Sequence, residues 1–381
     1  MVIDVTRLVG RFLQKRLPTG VDRVDIEYVR VYGADAQALI RYHGRWLFCS
    51  LNDSKRIYDA LIHRRFASHW RIRFLILKAY YFSFWYTPPK DSLLFNLSHS
   101  GLHQSAYEEQ VQRYGLRLIV FIHDLIPITH PEYGRLDGYP LHVRRIERVL
   151  RCAKGIIVNS NDTLMQLQSY AQRHVFVMPP SVTAHLASAP LFRSEDHKNE
   201  KSPYFVMLGT IEPRKNHWLI LHIWRKMVEE MGELTPQLVI IGQRGWECEN
   251  IVALLEQCAS IHPYIIEKTK CSDEELSHYL TFAQALLFPS FVEGYGLPLA
   301  EALSLKTPVI ASNLGVFREI AQDIPHYLEP LDGKGWEAMI REYMKPDSLQ
   351  RAAQITRMEK FQPTTWEEHF GCVNDFLETL A

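Results

Sequence analysis

The chain of 381 residues is too long for one ordinary domain and fits two, each large enough to bury a core without disulfides or a structural metal. Its 43 basic and 43 acidic residues cancel, which argues against a broad electrostatic surface for nucleic acid. Six scattered cysteines (Cys49, Cys152, Cys248, Cys258, Cys271, Cys372) form no CxxC pair, as in a reduced cytosolic protein, and no apolar run of about 18 residues marks a spanning helix.

Short β-rich runs alternate with longer helical patterns, which predicts parallel sheets of βαβ units, an α/β fold. Met1–Thr6 reads as a strand with no basic stretch and apolar core before it, so no signal peptide is expected. His63 to Lys90 holds Arg64, Arg65, Arg71, Arg73, Lys78 and Lys90 and no acidic residue. Within it Phe66, Trp70, Phe74, Leu77 and Tyr81 share one face at helical spacing, with Arg64, Arg71 and Lys78 alongside. Arginines flanking aromatics suit the headgroup region of an anionic membrane, whereas a core helix with its arginines in water has the same pattern. The clearest buried strand is Leu116–Ile122, ending at His123-Asp124. A helix with many outward arginines follows at Leu141–Cys152, then a strand at Gly155–Val158. Ser160 or Asn161 caps the next helix, and a third strand is expected at His174–Met178, closed by Pro179-Pro180.

Ala187–Lys201 is polar, charged and without period, and is read as a linker. The expected organisation is therefore 1–186, a linker at 187–201, a second domain at 202–360 and a closing segment at 361–381. The second domain restarts the α/β rhythm with strands Tyr204–Leu208, Gln237–Ile241, Tyr264–Glu267, Ala285–Phe288 and Pro308–Ala311. Helices Trp218–Met231, Asn250–Cys258, Asp273–Phe282 and Leu297–Leu305 alternate with them, the order of a doubly wound nucleotide-binding sheet.

Two loops carry the chemistry. Phe288-Pro289-Ser290-Phe291-Val292-Glu293-Gly294-Tyr295-Gly296-Leu297-Pro298 runs from a strand end into a helix start. Gly294 and Gly296 let backbone approach a ligand, and the helix N-terminus offers N–H groups to a phosphate. Glu293 on the loop and Glu301 one turn into the helix can hold the hydroxyls of a polyol. The second loop, Gly209-Thr210-Ile211-Glu212-Pro213-Arg214-Lys215-Asn216, puts an Arg-Lys pair after a first strand, where a diphosphate is bound by a guanidinium fork and a point charge. Gly242-Gln243-Arg244-Gly245-Trp246 is either part of a nucleotide pocket or a structural turn.

These residues resemble the GT-B glycosyltransferases of family 4. Glu293 and Glu301, separated by seven residues, match that family's pair of glutamates, and Gly209–Asn216 is similar to its phosphate loop. Asp273-Glu274-Glu275-Leu276, Ala283, Pro289-Ser290, Glu301-Ala302 and Thr307-Pro308-Val309 follow in the family's order; Lys306 stands where a glycine is usual. The match spans the second half and is diffuse over the first. It implies two Rossmann-like domains facing across a cleft, the last helix crossing back to the first domain, and transfer with retention of configuration. It further implies Arg214 and Lys215 stabilising the leaving diphosphate in place of a metal, with no cofactor. Glu293 would bind the donor sugar and Glu301 the ribose, with Gly209, Gly294, Tyr295, Gly296 and Leu297 completing the donor site. Thr19-Gly20-Val21-Asp22-Arg23 resembles the family's glycine loop after strand one, lengthened here by Arg11–Pro18; Asp22 and Arg23 equally suit a helix cap. His123 resembles the histidine near the donor sugar's hydroxymethyl group, with Asp124 orienting it or closing a local turn. The partners implied are a nucleotide sugar, with mannose from GDP-mannose the first expectation and glucose and rhamnose open, and a lipid-linked saccharide at the inner face of a membrane. A nucleotide-sugar epimerase or hydrolase of this fold, or a non-catalytic partner in a polysaccharide assembly complex, stays as the alternative; a dehydrogenase is disfavoured because no GxGxxG follows the first strand.

Overall fold

The structure, a computed structural model, describes residues 1–16, 18–134, 137–188, 191–194 and 203–380. Of the linker expected at 187–201, residues 189, 190 and 195–201 lie outside the described residues. The chain divides into two compact units. One comprises Met1–Thr129, Leu136–His185 and Phe370–Ala381, the other His130–Arg135 and Leu186–His369.

The first unit is built on strands β1 (Val2–Asp4), β2 (Gln37–Tyr42), β3 (Arg45–Phe48), β4 (Leu93–Asn96), β5 (Arg117–Ile122), β6 (Gly155–Val158) and β7 (Ser181–Thr183), in the order β3-β2-β1-β4-β5-β6-β7. All neighbours are parallel except β2 and β3. Those two form a hairpin because His43 and Gly44 both take positive φ (46° and 75°), the backbone of a two-residue turn that matches strand twist. Leu118 to Ile122 are all buried, as a central parallel strand covered on both faces requires.

Two expectations for this unit are corrected. His174–Met178 is not a strand: Val175 has φ 58°, Val175 and Val177 are exposed, and the edge strand β7 starts after Pro179-Pro180, whose missing N–H groups cannot join a ladder. Of the lengthened loop Arg11–Pro18, only the first three residues are helical, forming the end of the helix Thr6–Leu13, whose Leu8, Val9 and Phe12 are buried. Ser160 caps as expected, accepting from the Thr163 amide.

The last twelve-residue piece closes this core. Phe370 packs edge-on against Tyr28 and Tyr32, with ring centres 5.0 and 5.6 Å apart, and the Tyr32 hydroxyl donates to Asn374 Oδ1 at 2.7 Å. Gly155 in β6 admits the approach: a Cβ there would sit 2.6 Å from Leu380 Cδ1.

In the second unit β8 (Tyr204–Leu208), β9 (Gln237–Ile241), β10 (Ile265–Lys268), β11 (Leu286–Phe288), β12 (Val309–Ser312) and β13 (His326–Leu328) lie in the order β10-β9-β8-β11-β12-β13, all parallel. Alternate residues feed two cores. Val206, Val239, Leu286 and Phe288 meet the helix Leu297–Ser304, while Phe205, Met207, Leu238 and Leu287 meet the helix His217–Met231 and Trp336. Strand order reverses between β8 and β11, so connections leaving their C-terminal ends diverge and leave a crevice.

Because Phe370 is itself buried against Tyr28 and the half-buried Tyr32, Phe370→Ala is expected to destabilise the protein by about 3 kcal/mol in urea melts, while the exposed Trp218→Ala changes stability little.

Candidate functional site

The crevice between β8 and β11 receives the two loops singled out in the sequence. After β8, Gly209 adopts φ 139°, a backbone open to glycine, and its carbonyl is backed by Gly242, where a Cβ would stand 1.8 Å from it. The Gly209–Asn216 loop ends in a 3-10 turn, Pro213–Lys215, and Asn216 takes the left-handed conformation (φ 55°) to start the next helix. After β11, the loop is tied to the first one by the Phe291 amide, which donates to Arg214 O at 2.8 Å. It closes at Gly296 (φ 118°), whose missing Cβ makes room for Phe317 and which leads into the helix Leu297–Ser304 with Pro298 in its first turn.

Charge holds the loops together. Arg214 Nη1 donates to Glu293 Oε2 at 2.7 Å and to the Val292 carbonyl at 3.2 Å. Lys215 Nζ donates to Glu293 Oε1 at 2.5 Å, which also accepts from Ser290 Oγ at 2.7 Å. Arg214 Nε pairs with Glu212, a carboxylate only 2 % exposed. Two cations thus face two carboxylates inside the protein, and the cluster is neutral. Burial alone would raise the Glu293 carboxyl, but Arg214 and Lys215 outweigh it and hold it down to about 2. Burial lowers the Lys215 ammonium against the pull of Glu293, and the neighbouring His217 is pushed down to about 3 by burial and then by Lys215.

Arg214, Lys215 and Glu293 are therefore brought into one cluster, with Gly209 and Gly296 shaping the backbone on either side. Glu301 is buried on the same helix that Gly296 starts. The Tyr295 hydroxyl is committed to packing, donating to Leu186 O at 2.7 Å. Gly242 is a packing glycine, and Arg244 forms exposed ion pairs with Glu267 and Glu256. Two residues escaped the sequence reading. Glu212 carries no signal distinguishing it from any loop glutamate. Tyr133, which stacks on Phe291 at 5.3 Å, comes from a distant stretch of chain.

In the first unit His123 ends β5, is buried, and has Nε2 2.7 Å from Leu97 O. A carbonyl only accepts, so Nε2 carries the proton and Nδ1 of the neutral ring is the acceptor. Burial pushes its pKa down to about 4 despite the Leu97 carbonyl, so the ring is uncharged at neutral pH. His99 lies beside it and His142 beyond, ring centres 5.7 Å apart in each case. Asp124 closes a local turn by accepting from the Ile126 amide. Gly20 is exposed at the first position of the helix Gly20–Tyr32, and Asp22 serves the capping box with Thr19 while Arg7 and Arg11 pair with it.

Residues 188–345 match the family described as "Glycosyl transferases group 1". The chain is 27 % identical over 258 residues to the O-antigen chain mannosyltransferase B of Escherichia coli, covering 66 % of this chain and 67 % of that protein. It is 30 % identical over 266 residues to the serotype-specific mannosyltransferase WbdA of Escherichia coli, covering 65 % of this chain but only 32 % of the relative. It thus spans about a third of that larger protein. Anabaena HepE, solved in complex with UDP and glucose, superposes with a TM-score of 0.66 at 14 % identity over 96 % of both chains, a likeness of fold.

Removing Arg214 strands the buried Glu212 carboxylate, while Glu293 keeps Lys215 and Ser290. Arg214→Met is expected to cost about 3–5 kcal/mol in urea melts, and adding Glu212→Gln to it restores part of the loss. Glu293 has a depressed folded pKa, so its contribution is complete above pH 4.5 and drains away as pH falls toward 2. In Glu293→Gln the loss of stability across that window is expected to be shallower than in the parent.

Proposed function

We propose that this chain, which carries a Glycosyl transferases group 1 domain over residues 188–345 on a GT-B fold, moves a hexose from a nucleoside diphosphate sugar to a lipid-linked saccharide in the synthesis of a bacterial surface polysaccharide. The observation that carries the reading is the cluster of Arg214, Lys215 and Glu293 at the point where the second sheet reverses its strand order. The names of the relatives, O-antigen chain mannosyltransferase B and WbdA, support mannose as the sugar and an O-antigen-like chain as the product. GDP-mannose is the donor of this proposal.

Breaking the bond between sugar and diphosphate places growing negative charge on the leaving phosphate. Arg214 can bind it with two parallel N–H groups and Lys215 as a point charge, and the amides at the start of the helix Leu297–Ser304 add their dipole. Both cations already stand at these positions, held by Glu293 and Glu212, so little reorganisation is needed when the donor arrives. As the phosphate takes over part of their charge, Glu293 is released to accept hydrogen bonds from sugar hydroxyls. Glu301 takes the ribose hydroxyls. The charge supplied by Arg214 and Lys215 does the work that other transferases assign to a metal. His123, neutral at physiological pH, can accept from a sugar hydroxyl at Nδ1 without adding charge. The acceptor hydroxyl attacks from the face the diphosphate leaves and passes its proton to the departing phosphate oxygen, which retains configuration. A lipid-linked acceptor sets the reaction at the cytoplasmic face of a membrane.

Thermal melts with GDP, UDP, dTDP and ADP test the donor site, since a ligand at a hundred times its Kd adds about 2.7 kcal/mol. GDP is expected to raise the melting temperature by several degrees, and Glu301→Gln to abolish most of that rise without lowering the ligand-free Tm by a comparable amount. Incubation with GDP-mannose and a lipid-linked saccharide is expected to give an α-linked product by NMR, lost in Glu293→Gln. Stabilisation by UDP alone would replace the donor; free sugar or an epimer formed without acceptor would replace the reaction; no response to any nucleotide would sink the reading.

A further inference from the structure

The helix His69–Phe82 and the 3-10 turn Ser83–Tyr86 that extends it are apolar on two opposite faces. Ile72, Leu75, Ile76 and Ala79 point into the first unit and are buried. Trp70, Phe74, Leu77 and Tyr81, spaced to share the other face, are 76, 65, 54 and 65 % exposed, and Phe84 and Trp85 continue the surface at 68 and 71 %. A helix with two apolar faces is ordinarily covered on both, because each exposed apolar side chain forgoes its transfer from water.

The outward face is held there by specific bonds. Ser83 Oγ accepts from the Phe48 amide of β3 at 2.7 Å, Lys78 Nζ donates to Asp53 Oδ2 at 2.6 Å, and Gln37 Nε2 donates to the Tyr86 carbonyl at 2.9 Å. The segment is thus anchored to the sheet by one side, and its aromatics are displayed by the other.

We propose that this face docks the protein onto the surface of an anionic lipid bilayer. Charge selects the occupant. From His63 to Lys90 the segment has no acidic residue, and Arg71 and Arg73 stand exposed among the aromatics, Arg73 lying 5.5 Å from the Trp70 ring centre. Lipid phosphates meet the guanidinium groups while Trp, Tyr and Phe settle at the headgroup level, the depth that such amphipathic rings prefer. A protein partner would have to supply an apolar face rimmed with acid; a bilayer containing anionic lipid supplies both at once. This inference uses no property of the donor site and stands or falls apart from the proposed reaction.

The test is flotation of the intact protein with vesicles of phosphatidylcholine alone or with added phosphatidylglycerol, in the absence of any sugar donor or acceptor. Binding to the anionic vesicles is expected, weakening as salt is raised and weak on phosphatidylcholine. The double variant Arg71→Glu with Arg73→Glu is expected to bind at least about tenfold less. Trp70→Ser with Phe74→Ser and Trp85→Ser is expected to lose flotation at every salt concentration. All five side chains are exposed, so an unchanged Tm shows that these variants keep their fold. Equal flotation of parent and variants would overturn the proposal. So would absence of binding to anionic vesicles, whether the protein is then monomeric or forms a dimer that these substitutions dissolve.

Discussion

The second unit depends on a buried, neutral group of four charges. Arg214 and Lys215 come from the connection after β8, Glu293 from the connection after β11, and Glu212 secures Arg214 from behind. Isolated ions in such a place would be driven toward their neutral forms. Here each has an opposite charge at hydrogen-bonding or ion-pair distance, so the cations remain charged where water is scarce. The same contacts fasten two loops that the sheet itself leaves divergent. Any anion entering this cluster would have to compete with Glu293 for partners already in position.

Much of this was legible in the chain. Strands such as Tyr204–Leu208 and Gln237–Ile241 were read to the residue because parallel strands buried on both faces leave uninterrupted apolar runs. The loop glycines announced themselves too, since Gly209 and Gly296 occupy backbone conformations that other residues rarely adopt. What stayed hidden was which side chains turn toward each other. Glu212 becomes distinctive only when Arg214 is aimed at it, and Tyr133 only when Phe291 lies beneath its ring. The misplaced strand at His174–Met178 shows a related limit. Its Val-Phe-Val pattern has strand propensity, but Val175 turns left-handed after the helix Asn161–Arg173, and the prolines delay pairing until Ser181.

The first unit gathers polarity differently. Around the ends of β1 and β4, Asp4 accepts from Arg41 and Tyr107, and Asn96 donates to Tyr107, so a carboxylate, a guanidinium, a phenol and an amide form one chain of hydrogen bonds. Next to them His99, His123 and His142 are kept uncharged by burial, His99 further by its two histidine neighbours. Nothing in the linear sequence joins three histidines spread over more than forty positions. Parallel β-topology brings His99 and His123 together, because β4 and β5 deliver their C-terminal ends to the same edge of the sheet, and the helix Gly138–Cys152 adds His142. One unit thus gathers four paired charges at its strand ends, the other the Asp4–Arg41 pair beside uncharged rings.

The assignment of Phe370–Ala381 to the first unit has a consequence for how the molecule is born. A ribosome releases the chain from its N-terminus, and domains generally fold as they emerge. The sheet of the first unit is available early, yet the side chain that seals Tyr28 and Tyr32 arrives only after the whole second sheet has been made. During synthesis the earlier half therefore waits with an unsealed aromatic flank, and the half made later is the first that can finish. The order of translation and the order of completion run in opposite directions.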